Sequence, residues 1–358
     1  MLYREVGQFK TSYASDEAIF PIAQDRWFVI GLVIFAFLGV PLFAGQYLYT
    51  EVLIPVLILS IAAIGLNILT GYCGQLSLGS GGFMAVGAYA AYNLALRLPE
   101  TNIILVFLFG GVMAMLVGLL FGLPSLRIKG FYLAVATLAA QFFVVWALTK
   151  FGWFSNYSSS GVITAQKMSI LGYSFDSPLA KYLLVLTIVA VLALAAKNMV
   201  RSSLGRAWMA VRDMDVAAEV IGIRILHTKL MAFAISSFYC GMAGALYAFA
   251  YLGTVEPEGF NLDLSFRVLF MVIIGGVGSI LGSFLGAAFI VLLPIFLDTI
   301  AHPIELALGL TLPPGLMSNV ELVVFGGLII FFLVVEPHGL ARLWQICKEK
   351  LRLWPFPH

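Results

Sequence analysis

Charged side chains are scarce in this sequence. Only 11% of the 358 residues are Asp, Glu, Lys or Arg, while 61% are hydrophobic, and the mean hydropathy is +1.02. A soluble domain has about a quarter charged residues, so this chain lacks the polar surface that contact with water requires. The net charge of +2 is too small to indicate a nucleic-acid partner. The composition therefore predicts a protein embedded in a lipid bilayer.

Cysteine and histidine are also rare. The three cysteines, Cys73, Cys240 and Cys347, lie far apart without a CxxC pair, which argues against a disulfide framework and a zinc site. The four histidines are scattered, and neither HExxH nor GxSxG occurs. The dipeptide Gly-Lys is absent, so the chain has no P-loop for ATP. We therefore expect no catalytic residues, no metal site and no cofactor bound by this chain, and any ATP would be used by another polypeptide.

Long apolar runs are what the sequence has instead. A transmembrane helix needs about 20 predominantly apolar residues, so the sequence predicts an all-α, polytopic helical bundle of about ten spans, in a range of eight to ten. The two runs at 267–279 and 283–297 are short, and they fit either a tight hairpin of tilted helices or a re-entrant pair. The ten runs lie at 27–44, 52–70, 76–96, 102–123, 131–149, 181–197, 230–251, 267–279, 283–297 and 319–336.

Lysine and arginine positions predict the orientation. With ten spans and the N-terminus in the cytoplasm, fifteen of these residues fall on the cytoplasmic side and five outside, as the positive-inside rule favours. We therefore expect a cytoplasmic N-terminal segment at 1–26, a membrane domain at 27–340 and a cytoplasmic tail at 341–358. No signal-peptide pattern is visible, so the first run is expected to be an uncleaved anchor. The polar connection at 150–180 is expected to be an irregular external loop.

Glycine is abundant, at 35 residues, and gathers in clusters at 71–92 and 275–286. Gly71 and Gly74 are expected in a non-helical turn, because glycine accepts positive φ. The small residues that follow fit two interpretations, close helix packing or an interrupted helix beside a transport pathway, and the sequence leaves both open. Gln141 lies deep in an apolar run, which favours an interhelical hydrogen bond over a ligand contact. The candidates for a translocation path are Asn67, Gln75, Ser77, Ser80 and Gln141.

A charged segment at 201–224 interrupts the apolar sequence, within a longer hydrophilic connection at 198–229. Ser202 or Ser203 suits a helix N-cap and Gly222 suits a helix C-terminus, so one or two short helices are expected at the membrane surface. Their apolar side is expected to contain Leu204, Trp208, either Met209 or Val211, Ala218 and Ile221.

The charges of this segment have mixed sign. A partnerless helix lying on anionic lipid would carry a basic polar face. Here Asp213, Asp215 and Glu219 alternate with Arg206 and Arg212, which favours a protein partner over lipid.

Several segments in combination resemble the permeases of branched-chain amino acid ABC importers, the LivM type. The resemblance covers roughly residues 50–340 and leaves the N-terminal segment 1–26 outside. The segments are GYCGQLSLG at 71–79, GAY at 87–89, LRIKGFYLA at 126–134, GRAWMAVRD at 205–213, AAEVIGI at 217–223 and IGGVGSILG at 274–282.

The resemblance implies a permease subunit in a bacterial inner membrane. It implies pairing with a second, similar permease, which would make a heterodimer, and with two ATP-binding-cassette ATPases and a periplasmic substrate-binding protein. The segment 198–229 would be the coupling loop that sits on the ATPase. Ala217, Ala218 and Gly222 match the importer loop motif, but Val216 replaces its Glu and the later Leu-Pro is missing. The expected coupling residues are Gly205, Arg206, Arg212, Asp213, Ala217, Ala218, Glu219 and Gly222.

Substrate identity is less determined by the sequence. The resemblance implies branched-chain or related hydrophobic amino acids, with urea, amides or small organic acids as alternatives in the same importer family. A stand-alone channel or carrier is an alternative of another class, although ion-coupled carriers usually have intramembrane carboxylates that are missing here. A membrane-embedded enzyme would need a cluster of His, Asp or Glu, and none is found.

Overall fold

The computed structural model describes residues 12, 23–125, 131–158, 162–165, 168–170, 173–308, 316–335 and 339–353. The N-terminal segment predicted at 1–26 lies almost entirely outside these residues. The connection at 126–130, between the fourth and fifth predicted runs, and the last five residues of the tail also lie outside them.

Five helices form the first part of the bundle, and two of them contain π-helical turns. Helix α1 runs from Ala23–Ile34 through a π-helical turn, Phe35–Gly39, to Val40–Phe43. Helix α2 has π-helical turns at both ends, Leu48–Leu53 and Ile68–Tyr72, around an α-helical centre, Ile54–Asn67. The next helices are α3 (Ser80–Arg97), α4 (Ile103–Ser125) and α5 (Phe131–Lys150).

The second part begins with α6 (Pro178–Arg201), two short helices α7 (Ser203–Asp213) and α8 (Asp215–Val220), and α9 (Ile225–Leu246), which continues into a π-helical turn, Tyr247–Leu252. A 3₁₀ turn, Pro257–Phe260, precedes α10 (Leu262–Gly275). The last helices are α11 (Ile280–Leu308), α12 (Leu316–Val335) and α13 (Gly339–Leu353).

Seven of the described helices are long and apolar enough to cross a membrane: Arg26–Phe43, Leu48–Tyr72, Ile103–Leu123, Tyr132–Lys150, Pro178–Arg201, Ile225–Leu252 and Ile280–Leu297. The prediction of an all-α membrane bundle is confirmed. The count of ten spans and the cytoplasmic position of both termini stay predictions.

Helices α2, α3, α4 and α9 meet at the centre of the bundle. Glycines allow their backbones to approach closely there. A Cβ added to Gly87 of α3 would overlap the backbone of Gly241 on α9, and one added to Gly244 would overlap the backbone of Met84. Small residues let helices approach closely where lipid supplies no hydrophobic driving force. Close helix packing, one of the two interpretations of the glycine clusters, therefore holds for this part of α3.

One expected connection differs from the structure, and the bounds of two predicted helices are revised. The connection at 150–180 is not wholly irregular: its strand β1 (Ile163–Thr164) pairs with β4 (Thr254–Val255), and β2 (Ser169–Ile170) pairs with β3 (Tyr173–Ser174). The two short runs near 267–297 form a hairpin of unequal helices, in which α10 has 14 residues and α11 has 29.

Candidate coupling site

The short helices α7 and α8 are separated by a single extended residue. Ser202 caps α7, and its hydroxyl accepts a hydrogen bond from the Leu204 amide at 3.2 Å. Met214 between the helices has φ −158° and ψ 94°. Gly222, with φ +91°, ends α8, where the Gly222 and Ile223 amides donate to the Glu219 and Ala218 carbonyls. These bonds are those of a Schellman motif, so the caps predicted from the sequence are confirmed.

One side of α7 and α8 is buried against the bundle. Trp208 is completely buried, and its indole Nε1 donates to the carbonyl oxygen of Thr228 at 3.2 Å. Gly205, Val211 and Ala218 are buried on the same side. A Cβ added to Gly205 would overlap the Val200 carbonyl, so the tight turn from α6 into α7 requires glycine there. These contacts hold the two helices on the membrane bundle.

The exposed residues of α7 and α8 include both apolar and charged side chains. The exposed fraction is 84% for Val220, 73% for Ile221 and 69% for Met214. The prediction that Ile221 belongs to the buried side was therefore wrong. Val216 is 67% exposed, and Arg206, Asp213, Ala217 and Glu219 of the two helices are also exposed. We refer to Met214, Val216, Val220 and Ile221 as the apolar tip.

Arg212 connects α7 with the first glycine cluster. Its Nη1 donates to the carbonyl oxygen of Gly71 at 2.8 Å, and its Nε donates to Asp213 Oδ1 at 2.8 Å. A Cβ added to Gly74, which has φ +71°, would lie 2.8 Å from the Arg212 Cγ. The side chain of Arg212 therefore lies over the end of α2 and needs the space that Gly74 leaves.

Asn67 joins the first glycine cluster to the second. Its side-chain nitrogen donates to the Ser279 carbonyl at 2.8 Å and to Ser283 Oγ at 3.0 Å. Its side-chain oxygen accepts from the Gly278 amide at 2.8 Å. The two clusters are therefore in direct contact at the end of the bundle that carries α7 and α8.

The role of Gly71 differs from the prediction. It lies in the π-helical turn Ile68–Tyr72, and it is not among the glycines with positive φ. A Cβ at Gly71 would overlap the Asn67 Oδ1 and the Gly278 amide. Close approach of the two clusters, and not a turn conformation, is the reason for glycine here. Gly74, Gly276 and Gly278 do have positive φ.

The five candidate path residues are all buried within this chain. Gln141 is saturated with hydrogen bonds: its Oε1 accepts from the Gly82 amide and the Ser265 hydroxyl, both at 2.8 Å, and its Nε2 donates to the Phe260 and Asn261 carbonyls. This arrangement supports the interhelical role predicted for Gln141. Asn67 has the same kind of role, whereas the Gln75 Oε1 has no hydrogen-bond partner among the residues that the structure describes.

Replacing Gln141 with alanine should destabilise the protein. The Gly82 amide at the start of α3 would lose its acceptor, and an unsatisfied buried donor costs about 1–3 kcal/mol. We expect a lower melting temperature in detergent. The matched control is Thr149→Ala on the same helix, where an exposed hydroxyl bonds only to the carbonyls of Val145 and Trp146. Equal melting temperatures for the two variants would contradict the role given to Gln141.

Cysteine labelling should report how α7 covers the end of α2. Cys73 is buried, and burial raises the pKa of its thiol to about 12, whereas Cys347 is exposed. Because the thiolate is the reactive form, N-ethylmaleimide at pH 8 should modify Cys347 and spare Cys73. Arg212→Ala should speed the modification of Cys73, with buried Cys240 as the unreactive reference, as followed by mass spectrometry. Fast labelling of Cys73 in the unaltered protein would contradict this packing.

No group of His, Cys, Asp and Glu suited to a metal ion occurs among the described residues. The distinctive features of the site are an exposed apolar tip and a hydrogen-bonded route from α7 into the bundle.

Comparison with known proteins fits this geometry. The permease protein LivM of a high-affinity branched-chain amino acid transport system in Escherichia coli (strain K12) is 29% identical over 306 residues, which is 79% of this chain and 67% of that protein. A probable branched-chain amino acid transport permease protein LivM of Methanocaldococcus jannaschii is 25% identical over 74% of this chain and 78% of that protein. The autoinducer 2 import system permease protein LsrC of Klebsiella pneumoniae is 31% identical, but over 25% of this chain and 27% of that protein. No solved structure matches.

A family description covers most of the membrane domain. Residues 48–333 match the family of the branched-chain amino acid transport system permease component. This range includes both glycine clusters, the helices α7 and α8, and nearly all of the segment that the sequence motifs predicted. The chain therefore belongs to the family of permease components of branched-chain amino acid transport systems.

Proposed function

We propose that this chain carries branched-chain amino acids across the inner membrane as a permease subunit whose helices α7 and α8 dock on an ATPase subunit. As a member of its family, the chain is a membrane permease component of an ABC importer and is not itself an enzyme. The observation that carries the docking proposal is the apolar tip. Its exposed Val220 and Ile221 stand on two helices that are held by the completely buried Trp208.

The coupling residues divide by position into two groups. Arg206, Asp213, Ala217 and Glu219 are exposed on α7 and α8 and would contact the ATPase directly. Gly205, Ala218 and Gly222 would act through the shape of the two helices, since they provide the tight turn, the buried contact and the cap.

Arg212 would pass motion from the docked helices to the membrane bundle. Its bond to the Gly71 carbonyl connects α7 with α2, and Asn67 on α2 is bonded to the turn between α10 and α11. A displacement of α7 and α8 that follows ATP binding would therefore reach α2, α10 and α11 through hydrogen bonds. Asn67 would then serve in transmission, while Gln75, Ser77 and Ser80 remain proposals for the path itself.

The proposed assembly has further subunits. It contains a second, similar permease in a heterodimer, two ATPases and a periplasmic binding protein. The end of the bundle with α7 and α8 faces the cytoplasm, where ATP is available, and both chain termini lie on the same side. The distribution of lysine and arginine supports this orientation.

Reconstitution of the complete importer tests the proposal. The complex in proteoliposomes, with its binding protein outside and ATP inside, should accumulate radiolabelled leucine. Unlabelled isoleucine and valine should compete, whereas urea should not. ATP-independent uptake would indicate a channel or carrier, and competition by urea alone would indicate the amide alternative; either result would contradict the proposed function.

A further inference from the structure

An elongated apolar cavity lies between α3, α4 and α5, and its volume is about 440 Å³. Along α3 its lining residues extend from Val86 to Arg97, which is about 16 Å at the rise of an α-helix. One leaflet contributes half of the roughly 30 Å hydrocarbon core of a bilayer, or about 15 Å. The cavity is therefore about as long as one leaflet is thick.

The cavity is a cleft in the lipid-facing surface of the bundle. Its inner wall is α3, where Tyr89 and Asn93 are buried. Its two sides carry the exposed Leu120 of α4 and the exposed Phe143 of α5. The Tyr89 hydroxyl and the Asn93 Oδ1 are themselves buried, so they present little polar surface to the cleft. The surface available to an occupant between the two sides is therefore apolar.

One end of the cleft carries a positive charge. Arg97 is the last residue of α3 and is exposed, and its guanidinium carbon lies 3.7 Å from the centroid of the Trp153 ring. The Asn93 Nδ2 donates to the Phe154 carbonyl at 3.0 Å, which ties the segment that contains Trp153 to α3. Within the described part of the chain no carboxylate pairs with Arg97. A guanidinium over an aromatic ring keeps N–H groups with which it can bind a phosphate.

The charged end of the cleft lies at the level of the lipid headgroups. The apolar spans of α4 and α5 are Ile103–Leu123 and Tyr132–Lys150. Arg97 and Trp153 lie just beyond the ends of these neighbouring spans, and Trp is enriched at membrane interfaces. The cation is therefore placed where a lipid phosphate would be, at the end of a cleft whose length suits an acyl chain.

We propose that this cleft binds one anionic phospholipid, with its phosphate on Arg97 and one acyl chain between α4 and α5. The guanidinium donates charge-assisted hydrogen bonds to the phosphate oxygens. The acyl chain covers the apolar wall of α3 that the neighbouring helices leave open. A zwitterionic phospholipid places an ammonium group near its phosphate, so it binds less tightly beside an uncompensated cation. This binding goes beyond the proposed function and does not depend on it.

A lipid fits the cleft better than a helix of a second permease subunit does. Helix interfaces in membranes are enriched in small residues that let the backbones approach. The sides of the cleft instead present the bulky Phe109, Leu120 and Phe143. The small residues Gly110 and Gly118 of α4 pack inside the bundle, against α3 and α9. A flexible acyl chain can fill the irregular surface that these large side chains leave.

Native mass spectrometry of the purified full chain in detergent, titrated with phosphatidylglycerol or phosphatidylcholine, tests the proposal. One phosphatidylglycerol should bind per chain, more tightly than phosphatidylcholine. Arg97→Gln should weaken the binding of phosphatidylglycerol about tenfold, because it removes hydrogen bonds from a charged donor. Arg97→Lys keeps the charge and should retain most of the affinity. The matched control is Arg26→Gln on α1, which changes an exposed arginine outside the cleft and should leave the affinity unaltered.

A variant that fills the cleft gives a second, independent test. Ala147 of α5 lines the cleft and is half-buried, so the ring in Ala147→Phe would occupy the space of the acyl chain. The variant should bind both phospholipids more weakly than the unaltered chain does. Ala139→Phe, on the same helix but exposed outside the cleft, should bind both as the unaltered chain does.

The contrary outcomes are distinct. Equal affinities for the two phospholipids, or unchanged phosphatidylglycerol binding in Arg97→Gln or Ala147→Phe, would overturn the proposal. An Arg97→Lys variant as weak as Arg97→Gln would also overturn it, because the residue would then serve structure and not phosphate binding. Displacement of the lipid by excess inorganic phosphate would assign the site to a free anion. Loss of the lipid from the complete importer would assign the cleft to the second permease, and either result would contradict a phospholipid site.

Discussion

Replacing Arg212 with alanine should leave the ATPase bound while uncoupling ATP hydrolysis from transport. The variant keeps the apolar tip and the Trp208 anchor, but it loses the 2.8 Å bond to the Gly71 carbonyl. A hydrogen bond from a charged donor contributes about 1.5–3 kcal/mol. This corresponds to a change of roughly ten- to a hundredfold in the equilibrium between the states in which α7 is bonded to α2 and separated from it. Leucine transported per ATP should therefore fall at least tenfold in proteoliposomes.

Two comparison variants make this result specific. Asp213→Ala removes the exposed ion pair of Arg212 but keeps its bond to Gly71, and exposed pairs contribute less than about 1 kcal/mol. In complexes that retain the ATPase, leucine transported per ATP should therefore change little, even if the loss of a partner contact weakens ATPase binding. Gly71→Ala should resemble Arg212→Ala, because its Cβ would separate the two glycine clusters. Normal coupling in both Arg212→Ala and Gly71→Ala would show that motion does not pass through this connection.

A charge in the apolar tip should prevent assembly with the ATPase. Val220 and Ile221 are the most exposed apolar residues of the site, and complete burial of such a side chain stabilises a complex by about 1.5–3 kcal/mol. Val220→Asp would lose that contribution and would place an unpaired carboxylate in the interface, at a cost of about 3–5 kcal/mol. We expect loss of the ATPase from the purified complex and loss of ATP-driven uptake.

The control for this prediction is an apolar residue exposed elsewhere on the bundle. Val323→Asp on α12 changes a residue that is 74% exposed and lies outside the coupling site. It should keep the ATPase if it inserts into the membrane. Both variants should be recovered from the membrane fraction in the same amount as the unaltered protein before assembly is compared. Stable co-purification of the ATPase with Val220→Asp would exclude the apolar tip as the docking surface.

The short helices could be predicted because their signals are local. Ser202 and Gly222 act on neighbouring backbone groups, and the apolar side of α7 follows ordinary helical spacing through Trp208. The position of Ile221 could not be predicted in the same way. The extended backbone at Met214 resets the helical phase, so a residue that would face the bundle in one continuous helix faces outward in α8.

The contact between the glycine clusters could not be predicted because it is long-range. Asn67 and Ser279 are 212 positions apart, and Arg212 and Gly71 are 141 apart. Local sequence indicates only that glycine permits positive φ or close approach, and which of the two applies depends on the neighbour. From the sequence, Arg212 is predicted to be a surface residue that contacts the ATPase. The carbonyls at the end of α2 have no partner within that helix, and one of them provides an acceptor for Arg212 inside the chain.

Joint movement of α7, α8 and the second glycine cluster is the central claim of this account. Spin labels on Ser203 of α7 and on Val277 of the turn, both exposed, would report the distance between them by pulsed electron paramagnetic resonance in a variant without Cys347. We predict one distance that is the same in the ATP-free and vanadate-trapped importer, and a broadened distance after Arg212→Ala. A distance that changes between the two states in a fully coupled importer would contradict the claim.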